Sequence, residues 1–176
     1  MPVSDPENRP ALNAFFSEYL RPGMRVFEGG IGYGNIGRMI RAACPECQLI
    51  GAEIFEPYLT RGQHLVYDQI VLGDLSTVLS DAPDGWFDLS VLVDVVEHFD
   101  RESGTDILNQ AKRASNAVLV SVPIIDYRQG PVNGNQYESH LTQWKSDELA
   151  ALGFEALFLG RIVGVFSALS AYFHGG

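Results

Sequence analysis

The sequence predicts a doubly wound α/β domain, in which helices cover both faces of a mainly parallel sheet. Three observations support this fold class. Helical and strand patterns alternate along the chain, the strand runs are almost unbroken apolar segments, and a glycine-rich turn follows the first of them. The 176 residues are enough for one domain with a sizeable core, so we expect a single domain over residues 1–176.

The first half of the chain alternates regularly. Apolar residues at helical spacing between Leu12 and Leu20 predict a first helix, which a Pro-Gly pair ends. A short buried strand, Met24 to Phe27, leads into the glycine-rich turn and a second helix that a proline closes. The pattern then repeats, with strand Gln48 to Ala52, helix Pro57 to about His64, strand Gln69 to Leu72 and a weaker helix Leu75 to Leu79.

The second half continues the alternation and then departs from it. "WFDLSVLV" predicts a continuous buried strand, Ile107 to Ala114 a helix, and "NAVLVSVPII" a further strand. A short helix follows, with Ser146 as its predicted N-cap and Gly153 as its end. The runs "FEALFLG" and "IVGVFSALSAYF" stand too close together for a crossover helix, so we expect these two strands to pair antiparallel.

Charge and composition restrict the possible partners. The chain has 12 Lys and Arg against 22 Asp and Glu, a formal net charge of −10, which would repel phosphate backbones over most of the surface. We therefore expect no nucleic-acid partner. The N-terminus lacks the basic and apolar segments of a signal peptide, and the longest apolar run is too short for a bilayer, so we expect a cytoplasmic protein with no membrane span.

The two cysteines, Cys44 and Cys47, form a C-x-x-C pair. Such a pair can be redox-active or half of a zinc site, but the sequence has no second pair or His cluster to complete four ligands. We interpret the pair as part of a helix-to-strand junction and predict no metal site.

The segment "VFEGGIGYGNIGRMI", Val26 to Ile40, contains two overlapping cofactor signatures. Read from Gly32 it is G-x-G-x-x-G, which seats a dinucleotide pyrophosphate at a helix N-terminus; read from Glu28 it is an acid followed by G-x-G-x-G. A carboxylate beside the turn opposes phosphate, whereas it attracts the sulfonium and ammonium of S-adenosylmethionine. Glu28 therefore favours S-adenosylmethionine.

Two further acids follow the next strands, Glu53 after the second and Asp74 after the third. Glu53 can accept both ribose hydroxyls of either cofactor. Asp74 can accept from an adenine amino group while the Leu75 amide meets a ring nitrogen, or it can be an ordinary helix cap. All three acids should project from one edge of the sheet, because parallel strands end at the same edge.

These residues resemble the successive motifs of class I S-adenosylmethionine-dependent methyltransferases of the small-molecule type. Besides Val26 to Gly37, the likeness rests on "GAEI", "LGDL", "FDLSVLVDVVEH" and "LGF", in the right order and spacing over roughly residues 24–160. The resemblance implies a Rossmann-like fold whose seven-stranded, mainly parallel sheet ends in an antiparallel C-terminal hairpin. It also implies that S-adenosylmethionine is bound and S-adenosylhomocysteine is released.

The resemblance, carried over by position, implies roles for nine residues. The methionine and ribose part of the cofactor would be lined by Glu28, Gly30, Gly32 and Gly34. The ribose hydroxyls would be held by Glu53, and the adenine would lie against Ile54, with its edge in contact with Asp74 and Leu75. The transferred methyl would lie beside Asp94. Two positions depart from the family pattern. Glu stands at 28 where Asp is commoner, and Gly29 replaces the usual apolar residue, at a cost of about 0.5–1 kcal/mol relative to Ala.

The acceptor side is expected in the long segment from Asp126 to Lys145. It follows the fifth strand at the edge where open α/β sheets bind ligands, and loops of this length are usually functional. His140 in this segment and His98 in "DVVEH", where we expect His98 to begin a helix, are candidate catalytic residues, because a general base is needed when the acceptor is a hydroxyl or a protonated amine. Both histidines also have a structural alternative. Three aromatic residues would either form an acceptor wall or pack the segment down: Tyr127, Tyr137 and Trp144.

The pattern of the long segment is similar to one in bacterial and archaeal members that accompany cell-surface glycan synthesis. This makes a sugar or glycolipid hydroxyl the expected acceptor, within the wider class of small-molecule or glycan acceptors. Two alternatives stay open: a non-catalytic member that binds S-adenosylmethionine or a protein partner, and an NAD-dependent oxidoreductase that uses the G-x-G-x-x-G. The sequence leaves the oligomeric state undetermined.

Overall fold

The structure, a computed structural model, describes residues 6–169. Within these residues seven strands form one sheet: β1 Arg25–Gly29, β2 Gln48–Glu53, β3 Gln69–Leu72, β4 Leu89–Val93, β5 Ala117–Pro123, β6 Glu155–Leu159 and β7 Val163–Leu169. Their order is β3-β2-β1-β4-β5-β7-β6. Neighbours among the first five strands pair parallel, whereas β7 pairs antiparallel with both β5 and β6. The predicted seven-stranded sheet with its antiparallel hairpin is confirmed, although the predicted last strand also included residues 170–173, which lie outside the described residues.

Helices cover both faces of this sheet: α1 Arg9–Tyr19, α2 Asn35–Ala43, α3 Arg61–His64, α4 Leu75–Asp81, α5 Arg101–Ala114 and α6 Ser146–Ala151. Neighbouring residues of a strand belong to different cores, as Val26 and Phe27 do, because successive side chains point to opposite faces. One core contains Phe16 of α1 and Ile40 of α2, and the other contains Ile107 of α5. The predicted doubly wound arrangement is confirmed.

Two of the predicted helices have different boundaries in the structure. The helix predicted from Pro57 to His64 is a 3-10 turn, Glu56–Tyr58, followed by the four-residue α3. The break lies at Thr60, which is extended and whose hydroxyl accepts the Gly62 N–H as the cap of α3. The prediction of Ser146 as an N-cap is wrong, because Ser146 is the first residue of α6 and the N–H of the preceding residue donates to Glu148.

The region after β4 also differs from the prediction. His98 was expected to begin a helix, but it ends a 3-10 turn, Val96–His98. Helix α5 starts later, at Arg101, because the Asp100 carboxylate accepts the Ser103 N–H and caps it there. The turn therefore places Glu97 and His98 at the carboxyl edge of the sheet, ahead of the helix.

The long segment 126–145 has one short regular element, a 3-10 turn at Gln136–Glu138. Trp144 near its end is 1% exposed and packs in the core against Gly104 of α5. Trp144 thus packs the segment down and forms no acceptor wall, whereas Tyr127 and Tyr137 are exposed. As for membranes, no described helix has the length and apolar character needed to cross a bilayer.

Candidate functional site

A cavity of about 300 Å³ opens at the carboxyl edge of the sheet. It lies at the ends of β1 and β4, where the strand order changes direction, which is where open α/β sheets bind ligands. Eight of the nine residues expected at a cofactor line this cavity, and so does one of the two candidate catalytic residues: Glu28, Gly30, Gly32, Glu53, Ile54, Asp74, Leu75, Asp94 and His98. Gly34 is not among the lining residues. It is the N-cap of α2 with φ +74°, where a side chain would be strained.

The Glu53 carboxylate is bound to the glycine turn. Its Oε2 accepts the Gly32 N–H at 2.8 Å, and its Oε1 accepts the N–H groups of Ile54 and Phe55 at 3.0 and 2.8 Å. Burial raises the pKa of Glu53, while these N–H donors oppose that increase. The carboxylate therefore uses an amide of the very turn that would otherwise be free to bind an anion.

Glu28 lies deeper in the cavity wall, 3% exposed. The Tyr67 hydroxyl donates to its Oε2 at 2.8 Å. Burial raises the pKa of Glu28 to about 8, partly offset by the Tyr67 hydrogen bond and increased by the nearby Glu53. The sequence reasoning treats Glu28 as charged, whereas the structure leaves it largely protonated at neutral pH until a cation comes near.

Asp74 has the helix-capping role that the sequence leaves open. Its Oδ1 accepts the N–H groups of Ser76 and Thr77 at 2.9 and 3.3 Å, and the Ser76 hydroxyl as well, so it caps α4. The same residue lines the cavity. Capping thus holds the Asp74 carboxylate against the first turn of α4, at the wall of the cavity.

Asp94 directly follows β4 and has a φ of +54°, which is rare for a residue with a side chain. Its N–H donates to the Ser121 carbonyl at 2.8 Å, so the sheet holds this backbone in place. A left-handed conformation of this kind costs on the order of 1–3 kcal/mol and is concentrated at functional sites. The strain supports the expected place of Asp94 in the site.

The two histidines come together, although they come from separate segments. Their ring centroids are 4.9 Å apart in an edge-on arrangement. His98 Nδ1 faces the Ser139 carbonyl at 3.2 Å, and His140 Nδ1 faces the Tyr127 carbonyl at 2.7 Å. Since a carbonyl only accepts, each Nδ1 carries the proton and each Nε2 keeps a lone pair. Burial lowers the pKa of His98 to about 4 and also lowers the pKa of His140, so both rings are neutral at pH 7.

His140 does not line the first cavity but a neighbouring one of about 230 Å³. This second cavity is bounded largely by polar side chains, including Asp126, Arg128, Thr142 and Gln143. The histidine pair thus stands between the two cavities, with His98 on one side and His140 on the other.

Two features of the site were missed by sequence reasoning. Glu97, in the "DVVEH" motif, has a side chain that is buried, with 2% of the residue exposed. Within residues 6–169, neither of its carboxylate oxygens has a hydrogen-bond partner. Its position beside His98 was a signal that could have been used. Tyr58 donates its hydroxyl to Glu138 at 2.9 Å and so ties the wall of the first cavity to the long segment. No sequence pattern pairs these two residues.

The chain matches no protein-family model and no curated protein sequence. It is similar to solved structures. Magnesium protoporphyrin IX methyltransferase of Synechocystis PCC 6803 with bound S-adenosylhomocysteine has a TM-score of 0.65 at 14% identity, over 93% of this chain and 81% of that one. An S-adenosylmethionine-dependent methyltransferase from Archaeoglobus fulgidus has a TM-score of 0.60 at 20% identity, over 84% and 69%.

A third structure, from Rhodobacter sphaeroides and named for the Zn-dependent alcohol dehydrogenases, has a TM-score of 0.72 at 13% identity, over 96% of this chain and 92% of that one. At such identities these likenesses show the fold alone, which is the Rossmann-like fold of S-adenosylmethionine-dependent methyltransferases. The choice between cofactors depends on the chemistry of the site.

Proposed function

We propose that the protein is an S-adenosylmethionine-dependent methyltransferase that acts on a small-molecule or glycan acceptor and releases S-adenosylhomocysteine. One observation carries the proposal: two buried carboxylates, Glu28 and Glu53, flank the glycine turn at the base of the first cavity. Such a site suits a cationic nucleoside that has no phosphate.

The residues present fit this cofactor. Glu28 offers a carboxylate for the ammonium group, and Glu53 Oε2 accepts only one N–H in the structure, so it can also accept a ribose hydroxyl. Ile54 and Leu75 supply apolar surface for the adenine, with Asp74 at its edge. The cofactor supplies a methyl group on a positive sulfur. The protein supplies alignment and a dry site, because this displacement needs no acid at the leaving group.

The same geometry opposes a dinucleotide. Pyrophosphate binding at a glycine turn uses free N–H groups and the positive end of the following helix. Here the Gly32 N–H already donates to a carboxylate, and a second acid lies beside it. The Glu53 carboxylate would repel two phosphates, and Glu28 offers no positive charge to offset this, which weighs against an NAD-dependent oxidoreductase in spite of the shared fold with the R. sphaeroides structure.

For the acceptor, the second cavity supports a hydroxyl-rich molecule such as a sugar. Its lining offers Asp126, Arg128, Thr142 and Gln143 as hydrogen-bond partners, next to the histidine pair. We propose that His98 and His140 act at this junction on the acceptor hydroxyl, because each presents a neutral Nε2.

Thermal shift with S-adenosylmethionine, S-adenosylhomocysteine and NAD in parallel tests the proposal. A ligand at about 100 times its Kd adds roughly 2.7 kcal/mol, which is a rise of several degrees in Tm for a domain of this size. We expect the first two ligands to raise Tm and NAD to leave it unchanged, and a response to NAD alone would overturn the proposal. Release of S-adenosylhomocysteine across a panel of sugar acceptors then tests turnover, and binding without any release would indicate the non-catalytic alternative.

A further inference from the structure

Glu97, His98 and His140 form a compact cluster between the two cavities. One potential ligand atom of each lies within 4.8 Å of those of the other two. Glu97 and His98 come from the 3-10 turn after β4, and His140 comes from the long segment. The cluster therefore exists only in the folded chain, where a backbone contact holds its two parts together: the Glu97 carbonyl accepts the N–H groups of Leu141 and Thr142 at 2.9 and 3.1 Å.

The carboxylate of Glu97 is the unusual member of the cluster. It is 2% exposed, and neither oxygen has a hydrogen-bond partner within residues 6–169. Buried carboxylates in proteins are paired with donors or cations, because an isolated one is costly in a medium of low polarity. Glu97 is thus a buried ligand without the partner that its chemistry requires.

The two imidazoles cannot be that partner. Each Nδ1 is used by a backbone carbonyl, Ser139 for His98 and Tyr127 for His140, so each ring turns a lone pair on Nε2 away from that bond. Histidine ligands of metals are oriented in this same way, by a carbonyl or carboxylate that holds the other ring nitrogen. The cluster consequently places two imidazole lone pairs next to a buried carboxyl group that has no hydrogen-bond partner within residues 6–169.

We propose that Glu97, His98 and His140 bind one divalent first-row transition metal ion, with zinc as the best match to two imidazole nitrogens and one carboxylate oxygen. Sites with three protein ligands of this kind keep a coordination position open for a water or a substrate. Magnesium and calcium fit less well, because both prefer all-oxygen ligand sets.

The role of the ion rests on the proposed methyl transfer, whereas its binding does not. Between the two cavities, the open position would take an oxygen of the acceptor, and the ion would lower the pKa of that hydroxyl as a Lewis acid. A nitrogen that binds a metal has no lone pair left for a proton. With the ion bound, His98 and His140 would act on the acceptor as ligands of the ion and not as general bases, and the acceptor hydroxyl would lose its proton to water.

Metal binding is measured on the full chain after chelator treatment, by calorimetric titration with zinc and by visible absorption with cobalt. We expect one equivalent to bind, with an absorption spectrum that lacks thiolate charge-transfer bands. This spectral feature separates the cluster from the buried Cys44 and Cys47 pair, which would bind cobalt through thiolates. Glu97→Gln and His140→Ala should each weaken binding at least about 100-fold, since even outer partners of metal ligands contribute 10–100-fold.

His64→Ala is the matched control, because His64 is exposed in α3 and lies outside the cluster. It should bind zinc as the unaltered protein does. Thermal melts and S-adenosylhomocysteine titrations of each variant show whether the fold and the first cavity are intact. Absence of zinc binding in the unaltered protein, or an affinity in Glu97→Gln and His140→Ala equal to that of the unaltered protein, would overturn the metal site. Metal binding without methyl transfer would contradict only the proposed function, and S-adenosylhomocysteine binding without metal binding would contradict only the metal site.

Discussion

The buried Glu28 predicts a pH dependence of cofactor binding. Its pKa is raised to about 8 by burial in the free protein, and a bound ammonium group would favour the charged form and lower that pKa. Binding then releases a proton. Affinity for S-adenosylhomocysteine should accordingly rise with pH below about pH 8 and fall as the solution is acidified.

The size of the effect follows from the free energy needed to deprotonate Glu28 before binding. With a pKa of about 8, this costs about 1.4 kcal/mol at pH 7 and about 2.7 kcal/mol at pH 6. We therefore expect Kd to increase about 9-fold from pH 7 to pH 6. The ligand ammonium stays protonated in this range, and His98, with a pKa of about 4, stays neutral, so neither adds to the change.

Isothermal titration calorimetry at pH 6 and pH 7, in two buffers with different ionisation enthalpies, measures both Kd and the protons released. Glu28→Gln should bind more weakly at pH 7 and show a flat pH profile. Tyr67→Phe removes the hydroxyl that donates to the carboxylate, so it should raise the pKa of Glu28 further and keep the pH dependence. Equal Kd values at both pH values in the unaltered protein, or the same slope in Glu28→Gln, would refute the reasoning.

Three other substitutions test the described contacts. Glu53→Gln replaces a charged acceptor of three N–H groups by a neutral one. The free energy of S-adenosylhomocysteine binding, measured by calorimetry, should become less favourable by about 1.5–3 kcal/mol, and an unaltered Kd would contradict this. Gly104→Ala would place a methyl group 2.9 Å from Trp144 Cζ2, and urea unfolding should show a loss of about 1–3 kcal/mol, whereas an unchanged midpoint would disprove the close packing. Tyr58→Phe removes the hydrogen bond to Glu138, so limited proteolysis should cut segment 126–145 faster than in the unaltered protein. An unchanged cleavage rate would show that this bond does not hold the segment.

Gly29 is a position whose residue type the sequence can identify as unusual but cannot explain. The sequence marks Gly29 as a departure from the usual apolar residue, with a cost in the strand. The structure supplies the reason, because a Cβ at this position would lie 2.8 Å from side-chain atoms of both Leu75 and Leu92. The conformational cost of glycine is a property of the local backbone. The space that a side chain at position 29 would need is instead filled by residues of β4 and α4, which lie far away along the chain.

The sequence by itself determined the elements and the edge of the sheet that carries the cofactor cavity. Burial on two faces leaves unbroken apolar runs in strands, and parallel strands end at one edge, so acids that follow consecutive strands can be placed together. Glu28, Glu53 and Asp74 do line one cavity. Both signals are local, since each depends on the period of the chain and on the position of a residue within its own element.

Tertiary structure alone decided three other properties: the position of β7 between β5 and β6, the protonated state of Glu28, and the meeting of Glu97 with His98 and His140. Strand order depends on which edge a hairpin joins, and a pKa depends on the solvent and charges that the folded chain removes or brings near. The cluster depends on backbone bonds that join the long segment to the turn after β4. Each property arises between residues that are distant in the chain, and no periodicity or spacing in the sequence records such distances.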